Sequence, residues 1–281
     1  MLKQRVITAL ALLLVLLPAL FYRSPTPFTA IALVLIAAAA WEWARLIGYG
    51  DGSAILTGGV CALICAGAWR FGLLAQSLGM LWILSGAIWV MAGAWMLRGG
   101  VAAWTAYSRP MRLFAGLLLL CLAWLAVAKA RVIGINYLLS ILLLVWVADV
   151  SAYFAGRAFG GRIAGVKLAP SISPGKSWEG VWGGMAGVVL MAFVWQWADF
   201  EWGATVPSLY TLVGAKGWWF LLIAVVFMAA MSVVGDLFES LVKRSAGVKD
   251  SSGLLPGHGG ILDRIDALLP TLPLAMMLYS V

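Results

Sequence analysis

The sequence predicts an all-α, polytopic integral membrane protein with about nine transmembrane helices. Hydrophobic residues make up 64% of the chain and the mean hydropathy is +1.01, values that exclude an ordinary soluble domain. Apolar stretches of about 17–25 residues recur along the chain, and this is the length that crosses a bilayer as a helix. The charged residues lie mainly between these stretches.

The first span, near 6–22, follows Lys3 and Arg5 as the apolar part of a signal peptide would. No small-residue cleavage site comes before Tyr22 and Arg23, so we interpret this span as a retained helix. Each further predicted span is one apolar run. These spans lie near 27–47, 54–72, 76–97, 113–130, 132–155, 180–198, 217–237 and 267–281, and the last of them is short. Several tryptophans stand near predicted span ends, as interfacial anchors do.

The positive charges predict the orientation. Alternating the loops from a cytoplasmic N-terminus places fourteen Lys and Arg residues inside: 3, 5, 45, 98, 109, 112, 157, 162, 167, 176, 243, 244, 249 and 264. Only five fall outside: 23, 70, 129, 131 and 216. Cytoplasmic loops carry such an excess, so we expect the C-terminus outside. The net charge of +8 then fits topology and anionic lipid, and we expect no nucleic-acid partner.

We expect a single membrane-embedded domain over residues 1–281. Nine of the eleven acidic residues lie from Asp149 onward, so residues 1–147 are interpreted mainly as scaffold and 148–281 as the part with the catalytic motifs. Cys61, Cys65 and Cys121 lie inside apolar spans without a neighbouring His or acid. We interpret them as buried packing residues and not as a disulfide framework or a zinc site.

One polar run, Ser240–Asp266, concentrates charge at the edge of the membrane. It holds four Lys or Arg residues, three Asp, five Gly and the only histidine of the chain. Asp236 precedes the run inside an apolar helix, where an unpaired carboxylate costs several kcal/mol. Asp263 and Asp266 share a face if a helix begins at Asp263. The three acids predict a Mg²⁺ site; the alternative is ion pairing with Lys243, Arg244 and Arg264.

Basic residues and glycines in the same run suit a phosphate ligand. Lys243, Arg244 and Lys249 either neutralise phosphates or serve as topology charges. The segment PGHGG at 256–260 suggests a tight backbone whose N–H groups cradle phosphate oxygens. His258 within it is interpreted as a phosphate contact or as a structural residue.

A second polar segment lies about 70 residues upstream of the first. Asp149 again stands inside an apolar helix, and SPGKSWEG at 173–180 contributes Ser173 and Lys176. The end of this motif is similar to a P-loop, but Pro170 stands where a glycine is needed and no strand precedes it. We therefore exclude a Walker A motif and interpret the segment as a phosphate-contacting loop, with a plain interhelical loop as the alternative.

The pattern S-x-V-K-R-x₄-K-D-x-S-x₂-L-P-x-H-G-G-I-x-D-R-I-D over 240–266 resembles the signature of the phosphatidate cytidylyltransferase (CDP-diacylglycerol synthase) family. SPGKSWEG is similar to a second, looser motif of that family, with Ser177 where Thr is common. Residues 40–43, AWEW, are similar to the family's early helix. Chain length and helix number agree as well.

This resemblance implies transfer of the cytidylyl group of CTP to phosphatidic acid, which yields CDP-diacylglycerol and pyrophosphate. It further implies a homodimer among the lipids of the bacterial inner membrane, with the active site on the cytoplasmic side, and Mg²⁺ with K⁺ as a second cation. The metal-binding acids correspond to Asp236 and Asp263, with Asp266 adjacent, and Lys249 joins these three as a catalytic residue. The implied substrate-binding residues are Asp149, Ser173, Lys176, Lys243, Arg244, His258, Gly259, Gly260 and Arg264.

Two other functions remain as alternatives. A CTP-dependent lipid-alcohol kinase would use the same chemistry with a hydroxyl acceptor and CDP as product. An ion-coupled transporter is the alternative from another class, because acids inside helices also mark ion paths. Transporters often carry paired broken helices in symmetric halves, whereas here the acids are confined to one half.

Overall fold

The computed structural model describes residues 2–280 as a helical bundle with one short hairpin. The elements in order are α1 Leu2–Phe21, α2 Thr26–Leu46, α3 Asp51–Arg70, α4 Gly79–Ala106, α5 Arg109–Ile133, α6 Ile135–Phe159, β1 Lys167–Ala169, β2 Ser173–Ser177, α7 Trp178–Glu201, α8 Leu209–Gly214, α9 Trp218–Ser245, α10 Leu262–Ile265 and α11 Leu268–Ser280. Within this range, eight helices are long and apolar enough to cross a membrane. The predicted class, an all-α multi-pass membrane protein, is confirmed.

All nine predicted spans are helices. Most ends differ by a few residues, but α4 and α9 extend nine and eight residues beyond their predicted ends at 97 and 237. The ninth, α11, has only 13 residues and would extend about 20 Å, less than the ~30 Å core of a bilayer. Residues 269–276 of α11 are all buried, so this helix lies inside the bundle and not against lipid. Val281, the last residue of the predicted span, lies outside the described residues. The hairpin, α8 and α10 were not predicted.

The loops gather at two ends of the bundle, as the predicted alternation requires. At one end, Nε of Arg5 donates to the carbonyl oxygen of Gly257 (3.0 Å). At the other, Arg131 and Lys129 bind carbonyl oxygens at the α1–α2 and α3–α4 connections. Ser280, at the end of α11, lies against the first residue of α4 at this second end. The polar run lies at the first end, which we call the charged end.

Small residues bring α6 and α7 into close contact near the charged end. A Cβ at Gly184 would stand 2.9 Å from the carbonyl oxygen of Ala148, and one at Gly180 would stand 3.1 Å from that of Ala152. Larger side chains would force the two helices apart. This packing places the start of α7, and the hairpin before it, beside Asp149 on α6.

The three cysteines lie together between α3 and α5. Cys61 and Cys65 are buried, Cys121 is half-buried, and all three are free thiols. The Sγ atoms of Cys61 and Cys121 are 3.7 Å apart. The burial of these cysteines is as expected for packing residues. The contact between Cys61 of α3 and Cys121 of α5 was not predicted.

Candidate active site

The polar run is organised around a buried carboxylate from α2. Glu42 has no exposed surface, and its two oxygens accept four hydrogen bonds from the run. The donors are the hydroxyls of Ser252 (2.6 Å) and Ser251 (3.1 Å) and the amides of Ile261 (2.9 Å) and Leu262 (2.7 Å). Because a buried carboxylate needs such donors, Glu42 and the run fix each other's positions.

Two neighbouring glycines let the run approach these carboxylates. Gly259 has φ +82°, and a Cβ there would stand 2.6 Å from Oδ2 of Asp263. A Cβ at Gly260 would overlap the side chains of Ser251 and Glu42. The glycines of PGHGG are therefore required by contacts within the protein. The amide of Gly260, which we predicted to face phosphate, instead donates to Oδ2 of Asp263 (2.7 Å).

Lys243 stands between two acids. Its Nζ lies 2.6 Å from Oε2 of Glu239, a residue without exposed surface, and 2.6 Å from Oδ1 of Asp263. The other oxygen of Asp263 accepts the amide and the hydroxyl of Ser251, both at 2.9 Å. Burial alone would raise the pKa of Asp263, but the bonds from Lys243, Gly260 and Ser251 outweigh it and lower that pKa.

A further ion pair joins the 173–180 motif to α9, four residues before the polar run begins. Nζ of Lys176 on β2 lies 2.5 Å from Oδ2 of Asp236 on α9. The pair borders a cavity of ≈ 630 Å³ between α6, α7 and α9, which Asp149, Tyr153 and Arg157 also line. A cavity of this volume is in the range of small-molecule sites. Both charges of the pair remain partly exposed, so they are accessible from the cavity.

Asp266 lies close to the acids of this cavity. Burial, followed by the negative charges of Asp236 and Asp149, raises the pKa of Asp266 to about 7, although the amide of Ala267 donates a 2.7 Å hydrogen bond to it. Asp263 lies in α10 and Asp266 is its C-cap residue with α-helical backbone angles, and the charge of Lys243 acts to lower the pKa of both carboxyls. Among the described residues, however, Asp149, Asp236 and Asp266 do not bring one oxygen each within 4.8 Å of one another.

The other predicted residues have different surroundings. Arg244 donates to the carbonyl oxygens of Ile172 (3.3 Å) and Val248 (3.0 Å), and so ties the hairpin to the end of α9. Arg264 donates to the carbonyl oxygen of His258 (2.7 Å). Lys249 is exposed, and the described residues give it no ion pair.

His258 and Ser173, two of the predicted substrate-binding residues, lie in surroundings that do not indicate a contact with substrate. Nδ1 of His258 is buried, and no hydrogen-bond partner is found for it among the described residues. Ser173 begins β2 and pairs with Ala169, where we had predicted an irregular loop. Their predicted contacts with substrate, like those of Arg244, Arg264 and Lys249, stay predictions.

Sequence reasoning missed three polar residues of this region. Glu42 and Glu239 are single acids in apolar helices, a signal that we used for Asp149 and Asp236 but did not follow here. Arg157 was counted only as a topology charge. It follows Tyr153 by four residues on α6, and the two side chains are hydrogen-bonded at 3.1 Å. Polar residues at this spacing share one helix face, so the pattern could have identified it.

Comparison with known proteins gives a family for the chain. Residues 3–281 match the model of the cytidylyltransferase family. The chain is 40% identical to phosphatidate cytidylyltransferase of Pseudomonas aeruginosa over 285 residues, which cover 100% of this chain and 98% of the relative. It is 38% identical to that of Haemophilus influenzae over 308 residues, with 99% of each covered. A Staphylococcus epidermidis relative of the same name is 39% identical over 53% of this chain and 51% of its own length.

Proposed function

This chain belongs to the cytidylyltransferase family, and from that premise we propose that it transfers the cytidylyl group of CTP to phosphatidic acid. The products are CDP-diacylglycerol, for phospholipid biosynthesis, and pyrophosphate. The observation that carries the proposal is the Lys176–Asp236 pair at the border of the ≈ 630 Å³ cavity. It joins the 173–180 motif to the acid that precedes the polar run, in a chain aligned along its whole length with two phosphatidate cytidylyltransferases.

The cavity suits two phosphate-bearing substrates. It lies among membrane-spanning helices at the charged end, so the acyl tails of phosphatidic acid can remain in lipid while its phosphate reaches the cavity. Lys176 and Arg157 supply positive charge there, and Lys249 is exposed on the polar run, which begins at the end of the helix that carries Asp236. Cations so placed neutralise the phosphates of CTP and of phosphatidic acid as the two approach.

The reaction is a direct displacement at phosphorus. A phosphate oxygen of phosphatidic acid forms a bond to the α-phosphorus of CTP, and the bond from that phosphorus to the bridging oxygen of pyrophosphate breaks. The nucleophile is already an anion, so no side chain has to remove a proton. The work of the protein is to align the two substrates and to neutralise charge.

Mg²⁺ is proposed with Asp236 and Asp263 as its ligands and Asp266 adjacent. In the structure both carboxylates are ion-paired, Asp236 with Lys176 at 2.5 Å and Asp263 with Lys243 at 2.6 Å, so Mg²⁺ would take the place of these ammonium groups. When bound, Mg²⁺ would stabilise negative charge on the phosphates. K⁺ is proposed as a second cation.

Location and assembly follow from the same proposal. We place the protein in a bacterial inner membrane with the charged end at the cytoplasm, because fourteen of its nineteen Lys and Arg residues belong to loops or termini of that end. CTP then arrives from the cytosol and phosphatidic acid from the surrounding leaflet. A homodimer is proposed as the working assembly.

Purified protein in detergent micelles tests the function. With phosphatidic acid and Mg²⁺, a label in the cytidine ring of CTP should move into the lipid phase, and a γ-phosphate label should leave as pyrophosphate. A CTP-dependent lipid-alcohol kinase would instead send the γ-label into lipid. An ion-coupled transporter would move neither label, and either result would overturn the proposal.

A further inference from the structure

The first helix, α1, is attached to the rest of the protein mainly at its two ends. No residue from 3 to 18 is buried, so the middle of this helix packs little against its neighbours. At the outer end, Leu20 is buried, and Arg131 of α5 donates to the carbonyl oxygens of Leu20 (2.9 Å) and Tyr22. At the charged end, α1 meets the polar run. The position of α1 at the charged end therefore depends chiefly on that contact.

Two side chains of α1 bind the PGHGG segment. Nε of Arg5 donates to the carbonyl oxygen of Gly257 (3.0 Å), and Oγ1 of Thr8 donates to that of Pro256 (2.9 Å). The two donors are three residues apart and so share one face of the helix. A Cβ on Gly257 would stand 3.3 Å from the amide nitrogen of Arg5, and its φ of +78° favours glycine. The sequence of both segments thus permits a close contact.

This contact completes the hydrogen bonding of residues 255–259. The carbonyl oxygens of residues 255, 258 and 259 accept bonds from donors of the polar run itself. Within the described residues, those of Pro256 and Gly257 accept only from α1. Two of the five carbonyl groups are therefore fixed by a helix that lies about 250 residues away in the chain.

The same segment leads to the candidate active site. Leu255 and Gly259 form an antiparallel bridge, in which the amide of Leu255 donates to the carbonyl oxygen of Gly259 (2.8 Å). The next amide, that of Gly260, donates to Oδ2 of Asp263 (2.7 Å). Hydrogen bonds thus run from α1 through PGHGG to a proposed ligand of Mg²⁺. A shift of PGHGG relative to α1 would move the amide of Gly260 and, with it, the carboxylate of Asp263.

We propose that Arg5 and Thr8 are positioning residues, through which α1 holds PGHGG and the carboxylate of Asp263 in place for the reaction. Neither residue lines the reaction cavity, so both act through PGHGG and not on a substrate. The effect on turnover rests on the proposed function, whereas the effect on the order of PGHGG does not.

Hydrogen–deuterium exchange of the purified protein in detergent tests the contact without substrate. Thr8→Val and Arg5→Met should each raise amide exchange in residues 255–260 about three- to tenfold, which is the effect of losing one hydrogen bond. Exchange in α9 should stay at the wild-type rate, since a local contact is lost and not the fold. Thr8→Ser, which keeps the hydroxyl, should exchange like wild type.

Two matched controls separate the contact from charge and from composition. Lys3→Met removes a positive charge from an exposed residue two positions before Arg5. Thr105→Val removes a hydroxyl whose bonds stay within its own helix, α4. Both should leave exchange in residues 255–260 unchanged. An equal rise in Lys3→Met and Arg5→Met would reduce Arg5 to a topology charge and overturn the proposal.

Turnover of labelled CTP with phosphatidic acid tests whether the contact serves the reaction. In Thr8→Val and Arg5→Met, kcat should fall about three- to tenfold with the KM of both substrates unchanged, because fewer molecules hold Asp263 in place. Thr8→Ser should recover the wild-type kcat. Unchanged exchange in both variants, or raised exchange with an unchanged kcat, would overturn the positioning role. A wild type that exchanges as expected but does not use CTP would refute the proposed function and still support the hold of α1 on PGHGG.

Discussion

Replacing Glu42 by Gln should loosen the polar run and stop turnover. Each carboxylate oxygen accepts two hydrogen bonds, Oε1 from Ser252 and Ile261 and Oε2 from Ser251 and Leu262. The amide of Gln keeps one acceptor oxygen and presents an NH₂ group to the other pair of donors. Two bonds to a charged acceptor are lost, and at about 1.5–3 kcal/mol each the cost is about 3–6 kcal/mol.

Two measurements on the purified variant check this estimate. Unfolding in a detergent titration gives the change in stability, and lipid-soluble cytidine label gives turnover. We expect turnover to fall at least about a hundredfold, because about 3 kcal/mol corresponds to more than a hundredfold in an equilibrium between ordered and displaced states of the run. The matched control is Glu201→Gln, the same chemical change at an exposed position at the opposite end of the bundle.

The control should change stability by less than about 0.5 kcal/mol, as surface substitutions usually do. If Glu42→Gln unfolds and turns over like this control, the four hydrogen bonds do not hold the run and the role of Glu42 is wrong. A variant that is destabilised yet fully active would show that the ordered run is not needed for the reaction.

The remaining predictions concern the metal, the nucleotide and the topology. Asp263→Asn should lower turnover at least about a hundredfold and raise the Mg²⁺ concentration needed for half-maximal rate; an unchanged Mg²⁺ requirement would leave Asp263 only its bonds to Lys243, Ser251 and Gly260. Excess chelator should abolish turnover, Mg²⁺ should restore it and Ca²⁺ should not, because Ca²⁺ coordinates more loosely. Lys249→Ala should raise the KM for CTP about ten- to a hundredfold, whereas a rise confined to phosphatidic acid would move Lys249 to the lipid side. A reporter fused after residue 281 should read periplasmic and one inserted between α4 and α5, at residues 107–108, cytoplasmic; the same reading for both would contradict the span count.

The helices were predictable because lipid imposes a simple rule on the chain. A spanning segment has to be apolar and about twenty residues long, and the residues between spans carry the charges. The rule located every long helix and also α11, whose 13 residues are apolar because they are buried in protein. It could not predict the β1–β2 hairpin, because strands of three and five residues between two spans leave no transmembrane pattern.

The candidate site was predictable in its residues but not in their contacts. Acids and lysines of the two polar segments do meet, through Lys176 with Asp236 and Lys243 with Asp263. Gly260 was expected to free its amide for phosphate, yet that amide is bound to Asp263. Hydrogen bonds across 209 to 220 residues of chain, such as those of Glu42, leave no local pattern in a single sequence.

One helix, α9, connects all of these features. Asp236 on one side borders the reaction cavity, and Lys243, about two turns further along, binds Asp263 of the polar run. Phe238 on the far side lines an apolar groove between α4, α5 and α9. The side chains of a helix move together when the helix shifts or rotates. Loss of the Glu42 network, which holds the polar run that Lys243 of α9 binds through Asp263, should therefore alter the position of Asp236 relative to Lys176. We therefore expect substitutions far from the cavity to lower the reaction rate by changing the distance between the Asp236 carboxylate and the Lys176 ammonium group.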